Sequence, residues 1–275
     1  MSRAICDGYA CYPAPDPPSA EVDQATAGVS VEGRTAEPSY RSTTAEIMMR
    51  RCIAEGFGTF ILVFAGTGAI MIDDLSGGRV TSLGLGVTFG LAVMVAVYAT
   101  GHLSGGHINP VVTLGFAFSR HFPWKQVPIY WASQALGGVV ASLALRGLFG
   151  TVADMGATIP SGGAWQSYGL ETVLTFMLMF VIMAVATDNR AISMAAAPAI
   201  GGTVGLEAIF AGPISGASMN PVRSLGPALV GWTWTSHWVY WAGPATGAVI
   251  GAFLYRWLRG DENSTRASVK ERQPS

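Results

Sequence analysis

Charged residues are scarce in this chain of 275 residues, where Asp, Glu, Lys and Arg together make up only 12% of the sequence. Soluble domains carry about 25% charged residues, so the deficit indicates a chain that lies within a lipid bilayer. The formal net charge is −1, and the sequence has no basic cluster of the kind that binds nucleic acid. We therefore expect the lipid bilayer, and no nucleic acid, as a partner.

Cysteines and catalytic motifs are also sparse. The three cysteines, Cys6, Cys11 and Cys52, do not make a disulfide scaffold, and we expect free thiols, with soft-metal binding by Cys6 and Cys11 left open. The sequence shows no nucleophile with a positioned base, no His-x-x-x-His pair and no phosphate-binding loop. We therefore expect a protein that is not an enzyme and that has no cofactor or metal site.

The two ends of the chain lack apolar runs. Residues 1–45 are rich in Pro, Ser, Thr and charged residues, and the acidic side chains among them argue against a secretory signal peptide. We predict a disordered tail over residues 1–45 and another over residues 259–275. Between them we predict one membrane domain, residues 46–258.

Six apolar segments of about 20 residues recur between the tails, and each is long enough to cross a bilayer core of about 30 Å. Their even number places both termini on the same side of the membrane. Two further apolar segments, 109–119 and 220–230, are too short to cross. They predict re-entrant half-helices, which are tolerated only where they are buried in protein or line a water-filled cavity. The predicted spans are 48–72, 81–101, 127–149, 168–187, 192–211 and 237–258.

An internal repeat divides the membrane domain into residues 46–149 and 165–258. The tripeptide Asn-Pro-Val opens both short segments, and a glutamate, Glu55 or Glu171, lies in the first span of each half. Because each half has three spans, the second half enters the membrane from the opposite face, and the repeat is inverted. We therefore predict an all-α membrane protein of six transmembrane helices and two half-helices whose Asn-Pro-Val turns meet near the bilayer midplane.

The asparagines of the two turns, Asn109 and Asn220, are the first candidates for a functional site. Each precedes a proline at the first helical position, where backbone N–H groups lack partners and carry partial positive charge. Two such helix ends at one point would offer N–H donors to a passing water or hydroxyl group, with the carbonyl oxygens of the preceding residues as acceptors. The alternative is that each asparagine only caps its own helix, which leaves the recurrence of a polar turn at membrane depth unexplained.

Arg223 lies three residues after Asn220, in an apolar region where an arginine is costly and by default marks a functional site. Its guanidinium keeps its proton and offers five N–H donors. It would therefore repel cations and hydronium while donating to a neutral solute. The first half has Val112 at the equivalent position, and this asymmetry favours a functional role over a structural one.

Glu55 and Glu171 are expected to be buried beside the two re-entrant loops, where each carboxylate would accept the unpaired backbone N–H groups of a loop. A proton relay is the alternative role for such carboxylates. His102 and His107 belong to the first loop, and we interpret both as buried hydrogen-bonding residues that brace it, with a ligand or pH-sensing role as the alternative. Glu207 in the fifth span has no assigned role.

Basic residues near the span ends are distributed unevenly. If the N-terminus is cytoplasmic, most of them lie on the cytoplasmic side, as the positive-inside rule requires. We therefore expect a multi-pass protein of the cell's inner or plasma membrane with both termini in the cytoplasm. The cytoplasmic set is Arg41, Arg50, Arg51, Arg120, Lys125, Arg190, Arg256 and Arg259, and the outer set is Arg79 and Arg146.

Two longer motifs resemble the signature loops of the major intrinsic proteins, the family of aquaporins and glycerol channels. They are His-x-Ser-Gly-Gly-His-x-Asn-Pro from His102 and Gly-x-Ser-x-Asn-Pro-Val-Arg-x-x-Gly-Pro from Gly216, and the similarity covers about residues 46–258. The resemblance implies an aquaporin-like fold that assembles as a homotetramer with one pore in each subunit. It also implies a closer likeness of the run 206–227 to the nodulin-like subgroup, which passes glycerol, ammonia and neutral metalloid acids such as arsenite.

The resemblance further implies two constrictions along the pore. At the central one, both Asn-Pro motifs have valine where the family usually has alanine, which would re-angle the asparagines or change the pore width. At the outer one, which sets selectivity, alanine replaces the histidine of strict water channels, and the slot should be wider and more apolar. The central residues are Asn109, Val111, Asn220 and Val222, and the outer residues are Phe89, Ala208, Ala217 and Arg223.

The function predicted from these features is a passive transmembrane channel for water and small neutral solutes that excludes protons and ions. An ion-coupled secondary transporter of a small polar solute is the alternative, because inverted repeats also build such transporters. It would need intramembrane carboxylates at its binding site, for which Glu55 and Glu171 are the obvious candidates. A membrane enzyme is the third and weakest hypothesis.

Overall fold

The computed structural model describes residues 43–187 and 195–260 with their side chains, together with the backbone of a short N-terminal hairpin. The two predicted disordered tails lie largely outside these residues, so their disorder stays a prediction. The same holds for the placement of Arg41 and Arg190 on the cytoplasmic side.

Internal contacts divide the chain into two units, Met1–Met49 and Arg50–Ser275. The first unit contains the hairpin of two antiparallel strands, β1 (Ala4–Asp7) and β2 (Ala10–Pro13). It also contains the start of the first helix, where Thr43 and Glu46 form a reciprocal capping pair. The Thr43 hydroxyl accepts the Glu46 N–H, and the Glu46 carboxylate accepts the Thr43 N–H, as in a capping box.

Helices make up nearly all of the second unit in the described part of the chain. Short 3-10 segments, Trp124–Gln126 and Val152–Gly156, flank the fourth α-helix. The α-helices are α1 (Thr44–Leu75), α2 (Thr81–Ser104), α3 (Pro110–Phe118), α4 (Val127–Phe149), α5 (Ala164–Thr187), α6 (Ala196–Ser215), α7 (Pro221–Gly231) and α8 (Val239–Arg259).

Five helical segments of the described residues are long and apolar enough to cross a membrane. They contain α1, α2, α4, α5 and α6. The sixth long helix, α8, is rich in Gly, Tyr, Trp and Pro, which are less apolar, and it packs extensively along α5. The prediction of six long helices and two half-helices is confirmed.

Predicted boundaries differ from the structure by four residues in three helices: α1 and α5 begin four residues before the predicted positions 48 and 168, and α6 ends four residues after its predicted end. The fifth span was predicted to end at residue 211, before Gly212 and Pro213, whereas α6 runs on to Ser215. Pro213 is accommodated inside the helix, and the helix ends at Gly216, which takes the left-handed φ of 88° that glycine adopts readily.

Glycines bring the long helices into close contact. A Cβ on Gly90 of α2 would lie 2.7 Å from the Gly201 carbonyl oxygen of α6, and a Cβ on Gly251 of α8 would lie 2.6 Å from the Phe176 carbonyl oxygen of α5. These distances are too short for a side chain, so the helices meet backbone to backbone, as small residues allow between membrane helices.

The two half-helices pack against long helices and against each other. α3 packs against α4 and α8, α7 packs against the same two helices, and α3 and α7 also contact each other. The fold therefore encloses the short segments within protein, which is the condition for non-spanning helices at membrane depth.

Candidate functional site

The asparagines of the two Asn-Pro-Val turns are joined through reciprocal hydrogen bonds. The Asn109 Nδ2 donates to the Met219 carbonyl oxygen at 2.8 Å, and the Asn220 Nδ2 donates to the Ile108 carbonyl oxygen at 2.9 Å. Each amide thus bonds to the residue that precedes the other asparagine. The two half-helices consequently meet at their N-terminal ends, as the inverted repeat predicts.

Both asparagines also cap their own helices. The Asn109 Oδ1 accepts the Val111 N–H at 3.0 Å, and the Asn220 Oδ1 accepts the N–H groups of Val222 at 3.0 Å and Arg223 at 3.3 Å. Capping engages the amide oxygen and the cross-repeat bond engages one of the two amide hydrogens. One N–H of each asparagine therefore has no partner among these contacts and can serve a solute.

The loops that lead into the half-helices hold unusual backbone conformations in both repeats. Ile108 has φ of 45° and Met219 has φ of 51°, and Ala217 has φ of 41°. Non-glycine residues with positive φ cost of order 1–3 kcal/mol each and persist only where surrounding contacts fix them. The loops therefore need strong partners for their backbone groups.

Glu55 is the partner of the first loop. It is fully buried in α1, and its carboxylate accepts the backbone N–H groups of His107 at 2.9 Å and Ile108 at 2.8 Å. The Ser104 hydroxyl and the Gln134 Nε2 donate to the same carboxylate. Hydrogen bonds to an ionised acceptor are about twice as strong as neutral ones, which stabilises the strained loop.

Glu171, which lies in α5, is the corresponding partner of the second loop. Its carboxylate accepts the N–H groups of Ser218 at 2.8 Å and Met219 at 2.7 Å, and the Ser215 hydroxyl donates to it at 2.8 Å. Each carboxylate is thus engaged by the loop before the half-helix of its own repeat. These contacts occupy the oxygens that a proton relay or a coupling-ion site would need.

His107 is buried in the first loop, and its Nδ1 lies 3.0 Å from the Thr113 hydroxyl of α3. His102, by contrast, is exposed near the C-terminal end of α2, so the prediction that it is buried is wrong. It precedes the buried Ser104 by two residues, which turns it about 200° around the helix, away from the loop.

The valines of the two motifs are buried among helices. Val111 and Val222 are 3% and 1% exposed. The Val222 Cγ1 lies 2.6 Å from the position that a Cβ on Gly138 of α4 would take, so Gly138 provides room for the larger side chain. The Cγ1 methyl group of Val222, which an alanine would lack, therefore lies in the contact between α7 and α4.

The Arg223 side chain is held by two contacts from different elements. Its Nη1 donates to the Gly156 carbonyl oxygen at 2.8 Å, and its Cζ lies 4.8 Å from the centre of the Phe89 ring, in a cation–π arrangement. Arg223 is 2% and Phe89 is 8% exposed. The structure thus brings together an arginine from α7 and an aromatic residue from α2.

The two alanines predicted at the outer constriction belong to the same apolar cluster as Phe89. Ala217 is a buried member of that cluster, and Ala208 is partly buried and packs against it. Neither residue adds a polar group, so the Arg223 guanidinium is the polar member of the four predicted residues.

Several residues of this arrangement escaped the sequence analysis. Gly156 belongs to a turn of left-handed residues between α4 and α5, and nothing in its local sequence indicates a contact with Arg223. The sequence likewise did not indicate that Gln134 would bind the Glu55 carboxylate. The serines Ser104 and Ser215 stand in equivalent places before the two loops, and the internal repeat contained the signal that would have found them.

The chain is similar to known proteins over most of its length. The family described as Major intrinsic protein matches residues 41–255. Aquaporin NIP1-1 of rice (Oryza sativa subsp. japonica) is 51% identical over 223 residues, covering 81% of this chain and 78% of the relative. Aquaporin NIP2-1 of maize (Zea mays) is 43% identical over 228 residues, covering 83% of this chain and 77% of the relative.

A solved structure is similar over most of its length. The X-ray structure of the aquaglyceroporin from Plasmodium falciparum superimposes with a TM-score of 0.71 at 26% identity. The match covers 76% of this chain and 95% of that chain.

Proposed function

Because this chain belongs to the major intrinsic protein family and is a passive membrane channel for water and small solutes, we propose that its pore passes small uncharged solutes larger than water. The proposed solutes are glycerol, ammonia and neutral metalloid acids such as arsenite. Protons and ions are excluded. The family consists of channels, and we propose no catalytic activity for this member.

The outer constriction carries this proposal. Phe89, Ala208, Ala217 and Arg223 are proposed to form it, with Asn109, Val111, Asn220 and Val222 at the central constriction. The contact between Arg223 and Phe89 (4.8 Å) and the shared apolar cluster of Phe89 with both alanines support the assignment. In the proposed constriction, the two small alanine side chains and the Phe89 ring leave a wide apolar slot in which the Arg223 guanidinium supplies the N–H donors. Pore diameter and lining donors decide which solute passes.

Ion exclusion follows from the charges at both constrictions. The N-terminal ends of α3 and α7 meet and carry partial positive charge, and the buried Arg223 adds a full positive charge. A cation would have to lose its hydration shell beside these groups. The asparagine N–H groups donate to the oxygen of a passing water. This interrupts the chain of hydrogen bonds between single-file waters along which a proton would be passed.

The names of similar proteins point the same way. The similar parasite structure is that of an aquaglyceroporin, and the plant relatives are NIP aquaporins. We also propose a homotetramer in the inner or plasma membrane with both termini in the cytoplasm. Light scattering of the purified detergent complex tests the oligomeric state, and protease access to terminal tags in intact cells tests the orientation.

The experiment that tests the solute proposal is stopped-flow light scattering of proteoliposomes that contain the full chain. Gradients of sucrose, glycerol and arsenite report water and solute flux, and a pH-sensitive dye reports ammonia entry. We expect glycerol and arsenite flux above that of protein-free liposomes, linear in the gradient and insensitive to proton or sodium gradients. Ala208→His is the matched variant, and it should lower glycerol flux more than water flux.

Water flux without glycerol or arsenite flux would refute the wide slot. Flux that follows an imposed sodium or proton gradient would instead support the ion-coupled alternative, which the engagement of Glu55 and Glu171 by loop N–H groups disfavours.

A further inference from the structure

The Phe89 ring lies against a gap in the surface of α1. A Cβ built on Gly66 would lie 2.5 Å from the Phe89 Cδ1 and 2.6 Å from the Cζ, and it would be closer still to the Cε1. Carbon atoms in contact are about 3.5–4.0 Å apart. The ring therefore occupies the volume that any side chain at position 66 would fill.

The Phe89 ring also contacts the Arg223 guanidinium. Its Cζ lies 4.8 Å from the ring centre, and Gly156 fixes the guanidinium through its carbonyl oxygen. Gly156 itself packs on Thr67, because a Cβ on Gly156 would lie 2.9 Å from the Thr67 Cβ. Two consecutive residues of α1, Gly66 and Thr67, thus support the ring and the turn that hold Arg223 in place.

The internal repeat breaks at this position. Gly66 follows Glu55 by eleven residues, and the residue eleven after Glu171 is Ile182. The repeats also differ at Arg223, because the first repeat has Val112 in its place. These two differences lie at one outer site, whereas the glutamates and asparagines that hold the two loops together are kept in both repeats.

We propose that Gly66 is a specificity-determining residue of this channel. Its missing side chain forms a recess in α1 that receives the Phe89 ring, and the depth of this recess sets the width of the outer constriction. A side chain at position 66 would displace the ring toward Arg223 and the two alanines and narrow the slot. The inference rests on the proposed passage of solutes larger than water.

The test compares Gly66→Ala with the unchanged chain in the proteoliposome assay, with flux normalised to the protein incorporated. We expect glycerol flux to fall by about tenfold, which corresponds to a barrier increase of about 1.4 kcal/mol, and water flux to fall much less. Gly68→Ala is the matched control on the same helix. Its Cβ would meet the flexible Leu145 side chain at 3.0 Å, and the ratio of glycerol to water flux should not change.

The double variant Gly66→Ala/Phe89→Leu separates ring displacement from a general loss of folding. Removing the ring should restore glycerol flux if displacement is the cause. Equal loss of water and glycerol flux in Gly66→Ala, or no loss of either, would overturn the proposal, as would failure of the double variant to recover. If the unchanged chain passes no glycerol, the solute proposal fails, whatever the variants do. The Gly66 proposal would then require that water flux falls in Gly66→Ala and recovers in the double variant.

Discussion

Replacement of the buried glutamates by glutamine should destabilise the channel by an amount that the loop geometry sets. In each repeat the two carboxylate oxygens each accept one loop N–H, from His107 and Ile108 at Glu55 and from Ser218 and Met219 at Glu171. A glutamine has one acceptor oxygen in place of two. Whichever way its amide turns, one backbone N–H faces another N–H.

The magnitude follows from these contacts. An unsatisfied buried donor costs about 1–3 kcal/mol, and the surviving bond loses about 1 kcal/mol when its acceptor becomes neutral. Glu55→Gln and Glu171→Gln should therefore each lower the free energy of unfolding by about 2–4 kcal/mol. The two losses should be similar because the two repeats present the same pair of N–H groups.

Glu207→Gln is the matched control. Glu207 is fully buried in α6, and neither of its carboxylate oxygens has a hydrogen-bond partner within the described residues. Its replacement should not lower stability. Stability is measured by unfolding the purified protein in mixed detergent micelles. Water flux is measured in proteoliposomes, and it should fall for Glu55→Gln and Glu171→Gln because the displaced loops lead into Asn109 and Asn220. A loss at Glu207 equal to that at Glu55, or no loss at Glu55 and Glu171, would refute the reasoning.

Three further outcomes are expected. Arg223→Ala removes the positive charge and the bond to Gly156, so proton conductance of proteoliposomes should rise; a conductance that stays at background would assign the barrier to the half-helix ends. Asn220→Ala removes a cap with two N–H partners and the bond to Ile108, and it should cost about 1–2 kcal/mol in unfolding free energy and reduce water flux. Burial lowers the pKa of His237 in the loop between α7 and α8, so the folded protein binds this proton less readily than the unfolded chain, whose histidine has a pKa of about 6.5. Acidification from pH 7.5 to pH 5.5 should therefore lower the melting temperature less in His237→Asn than in the unchanged chain, and equal decreases would contradict this role.

The sequence by itself determined the architecture, because the relevant signals are local. Segment length and apolar composition specify a helix that crosses a bilayer, and Asn followed by Pro specifies where a half-helix begins. The repeated Asn-Pro-Val turns and the paired Glu55 and Glu171 therefore predicted the inverted fold and the place where its halves meet. The α6 boundary was missed, because the predicted span stopped at residue 211 whereas the helix continues through Pro213 to Ser215.

The outer site depended on the tertiary structure. Phe89, Gly66, Gly156 and Arg223 come from four separate segments, and no spacing along the chain relates a ring in α2 to a missing side chain in α1. The same holds for Val222, because its Cγ1 methyl group meets Gly138 only through the way that α7 packs against α4. A periodic pattern along the chain specifies a helix, whereas the space between helices depends on every side chain that meets there. We propose that in this channel this space decides which solutes pass.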